Sequence, residues 1–147
     1  MFTNILIPTD GSEFSEKVVK DGVDVARAMG ARITALHAYP RYRMSPYGEF
    51  GPSDEVVEKQ VTENAIRDGN QFLDRIETAA KAAGVKVERV IVRNDHPWEA
   101  IIETAREKGC DLIMMAAHGR RGLSALVLGS ETNKVLTHSK VPVLVYR

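Results

Sequence analysis

Blocks of two different hydrophobic periods alternate along the chain. Phe2 to Ile7 is a short apolar run closed by Pro8, which predicts a first strand. Thr9-Asp10-Gly11-Ser12 carries turn and cap chemistry. From about Glu13 to Met29 the spacing turns helical, with Phe14, Val18, Val25, Ala26 and Met29 on one stripe and Gly30 as the stop. Ile33 to Ala38 predicts a second strand. Asp54 to Ala83 predicts a long helix, its stripe running through Val57, Val61, Ala65, Phe72, Ile76, Ala80 and Ala83, with Gly84 as the stop. Gly69 inside it marks a kink or a close packing contact. Val85 to Val92 alternates, which predicts a third strand nearer the sheet edge with one face partly wet. Asn94 to Pro97 opens a third helix with Pro97 at or near its first position. Ile101, Ile102 and Ala105 should face inward there, and Gly109 ends it. Asp111 to Ala117 suits a strand buried on both faces. Gly129-Ser130 then opens a helix to about Ser139, with Ser130 as N-cap, and Val141 to Tyr146 closes as a fifth strand.

Strands alternating with helices specify one α/β domain over residues 1–147, a five-stranded parallel sheet with helices on both faces and right-handed crossovers. In such sheets ligands sit beyond the carboxyl ends of the strands, where the strand order reverses. With order 3-2-1-4-5 that point lies between strands one and four. Pro8-Thr9-Asp10 and Ala117-His118-Gly119 should therefore meet. Gly119 and Gly122 permit close backbone approach, and the helix start near Gly129 and Ser130 offers free amides to an anion. The same residues also suit a plain crossover with a glycine turn and a capped helix.

Composition narrows the function classes. Lys+Arg and Asp+Glu are 20 each, so bulk charge supports neither a nucleic-acid nor an anionic-membrane role. Cys110 is the only cysteine, so no internal disulfide forms, and burial before a core strand suits an inert thiol. No apolar run reaches membrane-spanning length and no signal-peptide pattern opens the chain, so cytoplasm is the expected compartment.

The chain resembles the universal stress protein (UspA-like) family. The resemblance covers nearly its whole length. It is carried by Ile5-Leu6-Ile7-Pro8-Thr9-Asp10-Gly11-Ser12, by Asp111-Leu112-Ile113-Met114-Met115, by His118-Gly119-Arg120-Arg121-Gly122, and by Gly129-Ser130 through Pro142-Val143-Leu144-Val145. It implies a Rossmann-like fold, homodimers, a stress-response regulatory role and, in one branch, binding of ATP or AMP. Carried over residue by residue, it assigns Pro8, Thr9 and Asp10 to the adenine and ribose side, Ala38 to the base pocket through its backbone, and Met115 and Ala116 to the flanks of the nucleoside. His118, Gly119, Arg120, Gly122, Gly129, Ser130, Glu131 and Thr132 fall around the phosphates. The Ser130 and Thr132 hydroxyls could donate to phosphate or touch a Mg²⁺ water, and Arg120 and Arg121 could screen its charge. The nucleotide-binding branch carries nine residues before its last glycine, whereas six separate Gly122 from Gly129 here. Ala116 and Ala117 stand where those relatives often have Gly and Ser. Each assigned residue also has a plainer role: Asp10 or Ser130 as a helix cap, the arginines as solvated surface.

Other chemistry finds little support. His37, His96, His118 and His138 form no metal-ligand spacing. No nucleophile elbow, Walker lysine or positioned base is present, so at most slow ATP hydrolysis is expected and no catalytic residue is assigned. Trp98 should pack its own helix. Tyr39 to Ser53, with three of the four tyrosines, reads as either a lid or a surface loop. The alternative to a nucleotide binder is a dimeric interaction module of the same fold. Val141 to Tyr146 is apolar on both faces at a sheet edge, which invites a second copy.

Overall fold

The computed structural model describes residues 1–43, 54–119 and 128–147. Five strands, β1 (Asn4–Pro8), β2 (Arg32–Tyr39), β3 (Val87–Arg93), β4 (Leu112–Ala116) and β5 (Val143–Tyr146), alternate with α1 (Glu13–Met29), α2 (Asp54–Ala82), α3 (Pro97–Glu107) and α4 (Ser130–His138). All strand pairs are parallel, as the alternation predicted, and the order is β3-β2-β1-β4-β5, the order taken above to locate the switch point.

The three central strands hold the core. Ile5, Ile7, Ile33, Ala35, Leu112 and Met114 pack toward α1 and α2, where Val18, Val23, Leu73 and Ile76 meet them. Leu6, Leu36, Ile113 and Met115 point the other way, onto Ile101 and Ala105 of α3 and Val135 of α4. Alternation of side chains along each strand divides the core into these two layers.

Five boundaries and faces differ from the sequence reading. β1 starts later because the Asp111 carboxylate captures the amides of Thr3 and Asn4, ending the ladder with a side chain. It then runs through Pro8, which pairs with Leu36, because a last-position proline gives up no ladder donor and Thr9 N bonds Leu36 O at 2.9 Å. β3 is half-buried on both faces: Val87 and Ile91 pack toward α2, Val90 and Val92 toward α3. Val85 precedes it, buried, with its amide on Ala80 O at 2.8 Å. Phe14 leaves the α1 stripe and is 45% exposed, since the buried face runs through Ser15, Val18, Val19, Gly22, Val23 and Ala26.

In α2 the buried residues are Gly69, Leu73, Ile76 and Ala80, all in its second half. Val61, expected on the core stripe, is 41% exposed. A helix of 29 residues outruns the sheet it packs on, because it is roughly 43 Å long while the eight residues of β2 span only about 26 Å. Gly69 is a close contact: a methyl there would lie 2.5 Å from His37 Cδ2. Pro97 opens α3 as predicted, and Gly109 (φ 62°) follows its C-cap, Lys108.

Candidate functional site

The carboxyl end of β1 feeds a tight turn. Its shape is set by short-range bonds. Gly11 N donates to Thr9 Oγ1 at 3.1 Å, and Ser12 N donates to Asp10 Oδ1 at 2.9 Å. Ser12 is the N-cap of α1, its side chain accepting from Ser15 N. Asp10 therefore shapes the turn before the cap and is not the cap itself. Gly11 has φ 74°, which only glycine adopts cheaply, and an added methyl would run into the Phe72 ring of α2.

His37, buried in β2, holds the turn from beneath. Its Nδ1 lies 2.9 Å from the Thr9 carbonyl. A carbonyl only accepts, so Nδ1 carries the proton. The Phe72 ring meets His37 edge-on with centroids 5.3 Å apart. The chain shows no spacing signal for this trio; only the fold brings His37, Phe72 and Gly69 under the turn.

β4 ends beside this turn, as the strand order predicted. Ile5 and Leu6 pair with Leu112 and Ile113. Beyond the pairing, a methyl on Gly119 would stand 2.5 Å from Asp10 Oδ2. The two segments meet, and they do so because residue 119 has no side chain. His118 is half-buried, its ring edge-on to Phe14 at 6.0 Å. Phe14 is the residue that helical periodicity misplaced; an exposed ring one turn from Asp10 belongs to the mouth of this site.

The chain enters the last helix from the same side. Gly129 N donates to Ala117 O at 2.8 Å, and a methyl on Gly129 would come within 3.1 Å of that oxygen. Gly129 is the N-cap and Ser130 the first helical residue. The expected Ser130 cap is thus displaced by one position, because the Gly129–Ala117 bond sets helical geometry from residue 130. The amides of Ser130, Glu131 and Thr132 are the first-turn donors that no helical carbonyl reaches. Gly129's own amide is engaged. The Thr132 side chain is 3% exposed and its hydroxyl donates to Ala116 O at 3.0 Å, so its proton ties α4 to β4. Glu131 Oε2 accepts from Trp98 N at 2.9 Å, which turns this carboxylate toward α3.

The remaining assigned residues sit as follows. Pro8 ends β1, and Ala38 lies near the end of β2, in register with Val92. Met115 is buried in the α3–α4 layer, while Ala116 packs on the α1 side. Arg120, Arg121 and Gly122 lie outside the described residues, as do residues 44–53 of the Tyr39 to Ser53 stretch read above as a lid or a surface loop. What precedes that stretch is tied down: Arg41 N donates to Asp95 Oδ1 at 2.8 Å and the Arg43 guanidinium pairs with Asp95 at 3.4 Å. These contacts, the Arg41 amide first, hold the Asp95 carboxyl below its ordinary range. Cys110 is buried with its thiol pushed up by desolvation, as expected of an inert core cysteine. Among the described residues no group of three or more His, Cys, Asp or Glu could hold a metal, and no helix is long and apolar enough to cross a membrane.

A separate groove of about 730 Å³ runs between α1 and α2, floored by Val19, Val23 and Ala79. It reaches the β1 turn only through Thr9 and Gly11. An Arg75–Glu16 ion pair lies along it. The switch point, by contrast, gathers Gly119, the Asp10 carboxylate and the first turn of α4 behind Gly129.

The fold is that of a five-stranded parallel α/β protein, with the ends of β1 and β4 brought together at the point where strand order reverses. The Universal stress protein family model matches residues 1–147, and the chain belongs to that family. The Universal stress protein YxiE of Bacillus subtilis is 30% identical over 151 residues, covering 100% of both chains. The solved structure of the MJ0577 protein of Methanocaldococcus jannaschii is 30% identical with a TM-score of 0.82, covering 99% of this chain and 95% of that one. Two solved complexes share the fold. A universal stress protein in complex with cAMP has 24% identity and TM-score 0.68, covering 99% and 97%. The Archaeoglobus fulgidus protein in complex with dAMP has 18% identity and TM-score 0.65, covering 99% and 98%.

Proposed function

We propose that this protein is a stress-response regulatory protein that binds an adenine nucleotide, ATP or AMP, at the switch point between β1 and β4. The observation that carries the reading is the closure of Gly119 onto Asp10 beside the first turn of α4. The relatives solved with cAMP and dAMP support the choice of an adenine nucleotide. Base and ribose would lie along Pro8, Thr9, Asp10 and the backbone of Ala38, with Met115 and Ala116 beneath. The phosphates would meet the amides of Ser130, Glu131 and Thr132, where the helix dipole favours an anion. The glycines at 119 and 129 fit such a ligand, because side chains there would fill the crevice or press on Ala117 O. Mg²⁺, where it accompanies ATP, would be held chiefly by the phosphates. The protein works as a homodimer in the cytoplasm, joined through β5, and turns ATP over slowly or not at all.

Calorimetry with ATP, AMP and adenosine, with and without Mg²⁺, tests the reading. Phosphates should add affinity over adenosine. No heat and no thermal shift at millimolar ATP would sink it. Gly129→Val should abolish binding while the far-ultraviolet spectrum stays native. A hydrolytic turnover on the order of ten per second, ordinary for an enzyme, would contradict the regulatory role.

The second reading is a dimeric interaction module that binds no nucleotide. Two bonds favour it: the Thr132 hydroxyl and the Glu131 carboxylate both serve the fold. The same calorimetry separates the two.

A further inference from the structure

An acid in the first turn of a helix ordinarily serves its own dipole. Glu131 in α4 serves a different helix. α3 begins at Pro97, which has no N–H, and its N-cap position, His96, makes no side-chain cap bond. Trp98 N is then the first amide of α3 that needs an acceptor, and Glu131 Oε2 supplies it at 2.9 Å. The other oxygen, Oε1, takes the Lys134 ammonium at 3.1 Å. Two turns along α4 on the same face, His138 lies against the Trp98 indole, ring centroids 4.8 Å apart and tilted by 36°. Trp98 thus touches α4 at its first turn through the backbone and at its last turn through the ring.

We infer that Glu131 is a positioning residue: it fixes the axis of α4 from the α3 side and, through Trp98, couples phosphate occupancy at the α4 N-terminus to the α3–α4 surface. The inference rests on the nucleotide reading above. Three bonds orient the first turn of α4. Gly129 N to Ala117 O and Thr132 Oγ1 to Ala116 O hold it to β4, and Glu131 to Trp98 N holds its outer side. First-turn amides point along the helix axis, so tilting that axis misdirects the donors a phosphate meets. Removing the Glu131 carboxylate releases the outer side of that turn, leaving only the two bonds to the β4 end, and strands the Trp98 amide at once.

A purely electrostatic role for Glu131 predicts the opposite sign. A negative charge beside a phosphate repels it, so Glu131→Gln and Glu131→Ala would both tighten ATP. Positioning separates the two. Glutamine keeps an acceptor oxygen for Trp98 N; alanine keeps none.

The experiment is the ATP-to-adenosine affinity ratio by calorimetry in wild type, Glu131→Gln and Glu131→Ala, with the emission of Trp98, the only tryptophan, followed in wild type. Positioning predicts a ratio at or above wild type in the glutamine variant and a loss of roughly tenfold in the alanine variant, the size of one charge-assisted hydrogen bond. Adenosine affinity should stay within about twofold in both, which a general loosening of the fold would not allow. Wild-type Trp98 emission should shift with ATP and not with adenosine. An unchanged or raised ratio in Glu131→Ala overturns the inference, as does binding of ATP without any change in Trp98 emission. The emission arm needs no variant, so misfolding of Glu131→Ala leaves a deciding measurement. Wild-type protein that binds neither ATP nor adenosine overturns the nucleotide reading itself, and this inference with it.

Discussion

Single atoms decide how closely the ends of β1 and β4 approach. A methyl on Gly119 would stand 2.5 Å from Asp10 Oδ2, closer than a real Cβ tolerates. Gly119→Ala should therefore push the Asp10 carboxylate out of place and weaken nucleotide binding at least tenfold by calorimetry, with little change in melting temperature, since His118 is half-buried and Gly119 exposed. Gly11→Ala should behave differently. Its left-handed backbone alone costs about 1–2 kcal/mol for an alanine, and the Phe72 ring must move as well. Denaturant unfolding should show a loss of at least that size. Sequence spacing located Asp10, Gly119 and Gly129 because turn glycines and strand ends carry local signals. It misplaced Phe14, since a helical stripe drifts around the axis and its first residue falls beyond the core. It could not show that the Glu131 carboxylate reaches Trp98 N or that the Thr132 hydroxyl reaches Ala116 O, since neither contact leaves a local signal. It could not connect His37 with Thr9, which are 28 residues apart and meet only through the β1–β2 register.

Elements were legible where their pattern and their packing agree. The five-strand alternation came through because central strands such as β4 are apolar on both faces, and both faces find helices. α2 shows where the two part. Its apolar stripe runs the whole helix, yet only the half from Gly69 onward reaches the sheet. Ile76→Ala should cost about 2–5 kcal/mol, as for any fully buried isoleucine. Val61→Ala, on the same stripe, should change stability by less than about 0.5 kcal/mol. Equal losses would mean that the first half of α2 is packed too. The amino end of the sheet depends on Asp111, which accepts from Thr3 N, Thr3 Oγ1 and Asn4 N. Partial burial pushes its carboxyl up, but the bonds from Asn4 and Thr3 outweigh that and leave it below the ordinary value. A lowered folded pKa means that the unfolded chain binds the proton first as acid is added. The stabilisation is therefore full above the unfolded value of about 3.9 and fades as pH falls through the lowered folded one. Asp111→Asn should be less stable than wild type at neutral pH, and the two unfolding curves should converge as acid is added through the lowered folded value. Parallel curves down to the lowest pH would remove Asp111 from the acid response.

The two edges of the sheet are not alike, and the difference bears on assembly. β3 carries Glu88, Arg89 and Arg93. Glu88 pairs with Lys108, and Arg89 with Asp74 and Glu77, so that edge is charged in the way soluble edges are protected. β5 reads Val143-Leu144-Val145-Tyr146, with no charge among its four residues. Val143 packs inward on the α3–α4 layer and Tyr146 on the α1 layer, where its hydroxyl bonds Asp21 and is held protonated to higher pH. Leu144 remains 40% exposed, and so does Leu136 of α4 nearby in sequence. An uncharged edge anchored on both faces suits a second copy across a two-fold axis, where in-plane pairing is antiparallel. Pro142 gives no amide, so pairing would centre beyond it. Light scattering on a sizing column should return twice the chain mass for wild type. Leu144→Lys places a charge at the centre of the contact and should return a monomer with an unchanged far-ultraviolet spectrum. Lysine on β3, at Val90, should leave the dimer intact, although it costs stability. A monomeric wild type at tens of micromolar, or a dimer that survives Leu144→Lys, would move the interface away from β5.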